Sequence, residues 1–296
     1  MGWLDANLIS VLNGFALAAL LFLIAVGLSL VFGTMDVLNL AHGSLSLIGA
    51  YLGVALVDED ASLGVFVLAA LLAAAVGAAL GAALAAMTSA INDHLRQALL
   101  TLGVALIAAD VLRELFGSDP ERVSAPAALA GSVDVLGRPY PVYRLSVVAV
   151  AVVIGLVLYV VLERTQAGAI VRATVADRGM VEAIGIRSQV VLLGVFGVGA
   201  ALATLGGLLA GPVLGARPGL DSTVLLLALV VVVVGGLGSV RGALLGALLV
   251  GQVQTLGVSL LPGQASYLLF GAMALVLLLR PRGLLPSPYA HAGGHA

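Results

Sequence analysis

The sequence predicts an all-α fold, a polytopic transmembrane helix bundle with about eight to ten membrane segments, and three observations predict it. Mean hydropathy is +1.20 and only 9% of residues are charged, against roughly 25% in soluble domains. Apolar residues, 61% of the total, gather in blocks of about 20, the length a helix needs to cross ~30 Å of hydrocarbon. Within blocks such as Leu63 to Leu84 and Val224 to Val234 there is no period-two alternation, which excludes a membrane β-barrel.

Along the chain the blocks fall near 8–32, 38–57, 63–89, 98–116, 143–162, 189–211, 222–235, 242–261 and 265–280. Together they form one transmembrane domain over 1–296. The opening residues Met1 to Asn7 carry no positive charge, so the first block is expected to be kept as a span and not read as a secretory signal. The 117–142 segment, with Pro120, Pro126, Pro139 and Pro141, reads as an ordered loop or short interfacial helix. The 222–235 block is short for a span. The 163–188 segment is a loop holding Arg164, Arg172, Arg178 and Arg187, and 285–296 is a Gly/Ala-rich tail expected to be flexible. Short cytoplasmic loops concentrate basic residues, so that loop and the Arg280, Arg282 pair belong inside. Counting back through nine spans places the N-terminus outside, with Asp58, Glu59 and Asp60. Glycines four apart (Gly49 and Gly53, Gly77 and Gly81, Gly242 and Gly246) share helix faces and point to close helix packing, within the subunit or between subunits.

Several kinds of chemistry are excluded. The chain has no Cys, hence no disulfide, thiolate nucleophile or Cys-bound metal. All 13 basic residues are Arg, and a P-loop requires Lys, so the chain holds no Walker-type ATPase site. His94, His291 and His295 are scattered and show no metal-ligand spacing. No cofactor is implied, and a net charge of −2 gives no sign of a nucleic-acid partner.

Polar groups interrupt the apolar pattern in the first spans, from Gly27 to Ser44. Asp36, Asn39 and His42 lie three apart and would share a helix face beside Gly43. Polar side chains at membrane depth face a bundle interior or a cavity, so they are candidates for a pathway; the plain alternative is a cytoplasmic turn with a capping Asn or Asp. Gly235, Gly236 and Gly238 break a second apolar region. Non-helical backbone is tolerated at depth only beside protein or water. The two breaks hold loosely comparable places in the halves of the chain, as an internal repeat would. Asp110 and Arg113 are spaced for an ion pair, Thr101 for bonding to its own backbone, and Gln252 and Gln254 lie on different faces.

The run Gly33-Thr-Met-Asp-Val-Leu-Asn-Leu-Ala-His-Gly43, followed by Gly49-Ala-Tyr51, resembles the amino-terminal signature of LivH-type permeases, the membrane subunits of branched-chain amino-acid ABC importers. Further matches follow in order: Glu163-Arg-Thr-Gln-Ala-Gly168, Asp177-Arg-Gly-Met-Val-Glu-Ala-Ile-Gly-Ile186, Gly235-Gly-Leu-Gly-Ser-Val-Arg-Gly-Ala-Leu-Leu-Gly246 and Arg280-Pro-Arg-Gly-Leu284. Arg241 and Gly179 depart from the family's usual residues. The resemblance implies a permease driven by two cytoplasmic ABC ATPase subunits, paired with a paralogous permease or a second copy of itself, and supplied by a periplasmic or surface solute-binding protein. It places the chain in a bacterial or archaeal inner membrane and implies a coupling element from Asp177 through Arg178, Glu182 and Ala183 to Gly185. Similar permeases carry urea, short amides or other amino acids. An ion-coupled secondary transporter would instead need charged residues mid-span, which this chain scarcely has.

Overall fold

A computed structural model describes residues 3–35, 39–91 and 93–285. Asp36, a predicted pathway residue, and the predicted flexible tail beyond 285 lie outside them. The described chain is helical almost throughout: α1 (Trp3–Met35), α2 (His42–Leu56), α3 (Leu63–Ser89), α4 (His94–Phe116), α5 (Val142–Arg164), α6 (Gln166–Ala176), α7 (Arg178–Ala183), α8 (Ser188–Leu214), α9 (Leu220–Gly235), α10 (Val240–Leu260) and α11 (Ala265–Leu279). All but α6 and α7 coincide with the nine apolar blocks.

Local chemistry sets many of the boundaries. Side chains of Ser62, Asp93, Thr165 and Ser239 accept a backbone N–H in the first turn of α3, α4, α6 and α10, which removes one of the orphan donors every helix start carries. Five helices, α1, α3, α5, α8 and α10, are long and apolar enough to cross a membrane. α2 and α9, of 15 and 16 residues, reach only about 22–24 Å at 1.5 Å per residue. They are too short to cross alone.

Two long helices organise the bundle. α1 runs through the centre with Leu20 to Val26 almost wholly buried, packed against α8 on one side and α10 on another. α8 in turn packs against α3, α1 and α2. The order long, short, long recurs in α1–α3 and α8–α10, and each third helix crosses to the other trio: α3 lies on α8 and α10 on α1. The interruption after α1 therefore corresponds to the one after α8, and not to the Gly235 to Gly246 break that sequence comparison set beside it.

Between membrane helices, lipid is as apolar as Leu, so close packing and polar contacts hold the bundle. The paired glycines supply the closeness inside the subunit. A Cβ at Gly49 would collide with the Thr204 carbonyl, and one at Gly207 with the Ser46 carbonyl. Gly77 and Gly81 bring α3 against Thr204, Ala200 and Phe196, and Gly242 and Gly246 bring α10 against α9. Thr204 Oγ1 donates across the gap to the Ala73 carbonyl at 2.8 Å. Leu and Val on the outer sides of α3, α4 and α5 stay exposed, as a lipid-facing surface requires.

The ends of the bundle differ. At one end the 117–141 connection folds into a 3₁₀ turn (Ala127–Leu129) and a hairpin of β1 (Ser132–Val135) and β2 (Arg138–Pro141). Leu136 and Gly137, both at positive φ, make its two-residue turn. Glu121 pairs with Ala216 as an antiparallel bridge, and the Ala127 N–H donates to the Ala61 carbonyl. The segment is thus ordered, as expected, with a hairpin that its prolines disguised. At the other end lie α6, α7, Arg241 and the 280–285 segment.

Adding a methyl group at Gly49 or Gly207 must push α2 and α8 apart, and overpacking of this kind costs about 1–3 kcal/mol. Gly49→Ala and Gly207→Ala should each lower the midpoint of thermal unfolding in detergent by several degrees. Gly194→Ala, with nothing within 4 Å, should leave it within error of the parent.

Candidate functional site

The first interruption is deeper than a turn. His42, the opening residue of α2, has Nε2 2.8 Å from the carbonyl of Ile24, eleven residues before the end of α1 at Met35. At 1.5 Å per residue that is about 16 Å back along α1. Contacts to α4 agree: the Leu40 N–H donates to Thr101 Oγ1 at 3.1 Å and Ser44 Oγ to the Ala105 carbonyl at 3.3 Å, both in the middle part of that helix. From there α2 runs to the C-terminal end of α4, where Tyr51 stacks on Phe116 with ring centroids 4.6 Å apart.

α9 is its counterpart. A Cβ on Gly43 would collide with the Asp221 carbonyl, and Leu225 lies beside it, so α9 also begins at mid-depth. It runs the opposite way and ends at Gly235, on the backbone of Gly242. The two half-length helices thus start together and diverge toward opposite faces. Neither start has a side-chain cap: the N-cap residues are Ala41 and Gly219.

Asn39 and His42 are 1% and 0% exposed. Asn39 precedes the helix, so the three-residue spacing does not place the two on one helical face. Asn39 Oδ1 accepts the Ala41 N–H at 3.1 Å, a local turn as the plain reading had it, but in the interior and not at the cytoplasmic surface. Among the described residues, Asn39 Nδ2 and His42 Nδ1 have no hydrogen-bond partner.

The second interruption meets the first motif directly. A Cβ on Gly33 would collide with Gly238 Cα, and Gly236 and Gly238 take φ of 106° and 71°, conformations that favour glycine. The C-terminal motif closes over them. Gly283 packs on Gly236, and the N–H groups of Leu284 and Leu285 donate to the carbonyls of Val234 and Gly235, each at 2.9 Å. Those carbonyls end α9 and would otherwise be orphans. Three stretches far apart in sequence therefore converge at one end of the bundle.

The charged loop forms two short helices. α7 is secured at both ends. Asp177 Oδ1 accepts the Met180 N–H at 2.9 Å; Gly185, at φ 87°, closes the helix, with its N–H on the Glu182 carbonyl and that of Ile186 on the Val181 carbonyl, a Schellman arrangement. Arg178 Nε lies 3.1 Å from Glu182 Oε1 and 2.9 Å from Ser188 Oγ, and Ser188 Oγ donates to the same carboxylate oxygen. The Ser188 hydroxyl first, then Arg178, hold the Glu182 carboxyl below its ordinary range. Beside the half-exposed Arg178–Glu182 pair, α7 and its C-cap present apolar groups outward: Met180 and Ile184 are 62% and 68% exposed, with Ala183 exposed between them. Sequence reasoning passed over these two, although large apolar residues in a charged loop were the available signal.

Further polar candidates have protein partners, whereas Gln254 Oε1 is buried with none among the described residues. Asp110 and Arg113 pair at 2.7 Å on the surface, and Gln252 Nε2 donates to the Val11 carbonyl. Among the described residues no group of His, Asp or Glu is placed to hold a metal ion.

Comparison with known proteins accounts for the arrangement as a whole. A family profile described as the permease component of the branched-chain amino acid transport system matches residues 10–278. The high-affinity branched-chain amino acid transport system permease protein BraD of Pseudomonas aeruginosa is 28% identical over 294 residues, covering 93% of this chain and 94% of its own. LivH of Escherichia coli (strain K12) and LivH of Salmonella typhimurium, permease proteins of the same description, are 26% and 25% identical over the same shares. No solved structure matches. Matched along nearly its whole length, this multi-pass membrane chain belongs to the permease family of branched-chain amino acid transport systems.

Proposed function

We propose that the chain is the permease subunit of an ABC importer that moves branched-chain amino acids inward across the cytoplasmic membrane. It works with a paralogous permease or a second copy of itself, two cytoplasmic ATPases and an external solute-binding protein. The observation that carries this reading is the family match over residues 10–278, joined to relatives whose names specify branched-chain amino acids.

Charge supports the sidedness. Arg96, Arg164, Arg172, Arg178, Arg187, Arg241, Arg280 and Arg282 belong to the α6–α7 end, whereas Asp58, Glu59, Asp60, Asp119, Glu121 and Asp134 belong to the hairpin end. Basic residues favour the cytoplasmic side, so the α6–α7 end faces the ATPases, with the N-terminus outside and the C-terminus inside.

α7 is the contact through which an ATPase acts. Its exposed Met180, Ala183 and Ile184 fit an apolar cleft, and the Arg178–Glu182–Ser188 network ties the helix to the first residue of α8. Because α8 lies directly against α2 through Gly207 and Gly49, displacement of α7 reaches the mid-depth junction by rigid contacts alone. Asn39, His42 and Gly43 on one side and Gly235, Gly236 and Gly238 on the other are where the helices give way as access alternates.

Liposomes carrying the full transporter with its binding protein should accumulate leucine, isoleucine or valine only with internal-facing ATP; equal uptake without ATP would overturn the reading. A second prediction concerns α7. Gly185→Val forces a branched residue to positive φ, a cost of about 1–2 kcal/mol, and Met180→Asp places charge on the docking surface. Each should reduce ATPase co-purification and uptake several-fold, and unchanged values for both would sink the coupling assignment. Sidedness is open to a third test, because the parent has no Cys. Glu59→Cys should react with a membrane-impermeant maleimide in intact cells, and Gln166→Cys only after permeabilisation.

A further inference from the structure

We propose that the meeting point of α2 and α9 is a closed binding site for the charged backbone of the amino acid in transit, taking its carboxylate at the start of α2 and its ammonium at His42 Nδ1. The inference rests on the transport reading above and adds a recognition site within the permease itself.

A helix start carries partial positive charge and orphan N–H donors, and half-helices that begin inside a membrane protein use such ends to hold anionic groups. The start of α2 is left open for one. It has no side-chain cap and no acidic residue in its first turn, and it is buried at mid-depth. α9 differs, because Asp221 supplies negative charge in its own first turn. Uncompensated positive potential is therefore confined to the start of α2, which suits the carboxylate of an amino acid.

The unpartnered side chains point to the same ligand. Asn39 Oδ1 is fixed on the Ala41 N–H at the mouth of α2, which leaves the Nδ2 donor of the same amide at that mouth, buried and unpaired. His42 Nε2 faces a carbonyl oxygen and so must donate to it. In the neutral ring Nδ1 is then an acceptor, also buried and unpaired. A free donor and a free acceptor, three residues apart at a helix start, match a carboxylate and an ammonium on one carbon. The Leu225 side chain lies against Gly43 at the junction and would face an aliphatic side chain.

In this structure Gly43 rests on the Asp221 carbonyl, so entry requires α2 and α9 to separate. Their divergence toward opposite faces lets one junction open to either side.

The test uses the assembled transporter with its ATPases in nanodiscs, without binding protein, and radiolabelled L-leucine. Leucinol, which keeps the ammonium and lacks the carboxylate, is the competitor. Asn39→Asp keeps the bond to Ala41 and replaces the free donor by negative charge. L-leucine should bind the parent complex, leucinol should compete at least tenfold more weakly, and N39D should weaken leucine binding at least tenfold. Leucinol competing as well as leucine, a comparison that needs no variant, would overturn the proposal. So would N39D binding leucine like the parent, as when an ordered water fills the site. Absence of leucine binding in a complex that takes up leucine with binding protein and ATP would overturn it and leave the transport reading standing; absence of that uptake would remove the transport reading instead.

Discussion

The structure depends on one constraint: inside hydrocarbon, backbone N–H and C=O groups must find partners within the protein. Helices that cross completely satisfy it by themselves, but α2 and α9 stop halfway and expose their first turns at depth. Such ends persist only where full-length helices enclose them. α1, α4 and α8 provide that enclosure, with the Ile24 carbonyl, Thr101 Oγ1 and the Ala105 carbonyl each meeting a group at the start of α2. The glycines follow from the same demand. The Thr204 carbonyl of α8 lies against Gly49 and the Ser46 carbonyl of α2 against Gly207, so closely that a side chain on either glycine would hold the helices apart and open the junction.

The route from α7 to that junction has a similar economy of parts. A six-residue helix has almost no stability in isolation. α7 is made rigid by a cap at Asp177, a Schellman closure at Gly185 and the side-chain network around Glu182. That network ends on Ser188, which begins α8, and Val181 is buried beneath it. On the coupling role proposed above, force on Met180 or Ile184 would reach a central helix and not be dissipated in a loop. Glu182 contributes as an internal brace, which explains why an acidic residue suits the position even with no basic group supplied from outside.

Sequence made the nine apolar helices, the Gly-mediated packing, the Asp110–Arg113 pair and the ordered 117–141 connection legible, because each reflects local spacing or composition. Depth was not legible. Hydrophobicity is continuous through the 38–57 block, so a helix starting at His42 inside the bundle reads like one starting at its surface. The shortness of 222–235 was the visible trace of a half-length helix on the other side. The role of Thr101 was half visible: its bond to the Ala98 carbonyl follows from helix geometry, whereas its acceptance of the Leu40 N–H depends on a neighbour 61 residues away. The β1–β2 hairpin was obscured because Pro139 and Pro141 argue against a strand, and only the Leu136–Gly137 turn favours one.

The family motifs are scattered in sequence and gathered in space, and the gathering explains their composition. Gly33 must admit Gly238, Gly236 must admit Gly283, and Gly235 must admit Gly242. Each is a backbone-to-backbone contact that a Cβ would forbid. At the same place the N–H groups of Leu284 and Leu285 complete the last carbonyls of α9, a role sequence could not reveal because it belongs to the main chain. The C-terminal end of α9 is thereby finished with backbone bonds, while at the start of α2, equally buried, Asn39 Nδ2 and His42 Nδ1 have no partner among the described residues. The two interruptions therefore differ in kind: main-chain bonds from a distant segment complete one, and the other is held by side chains whose hydrogen-bonding capacity is only half used.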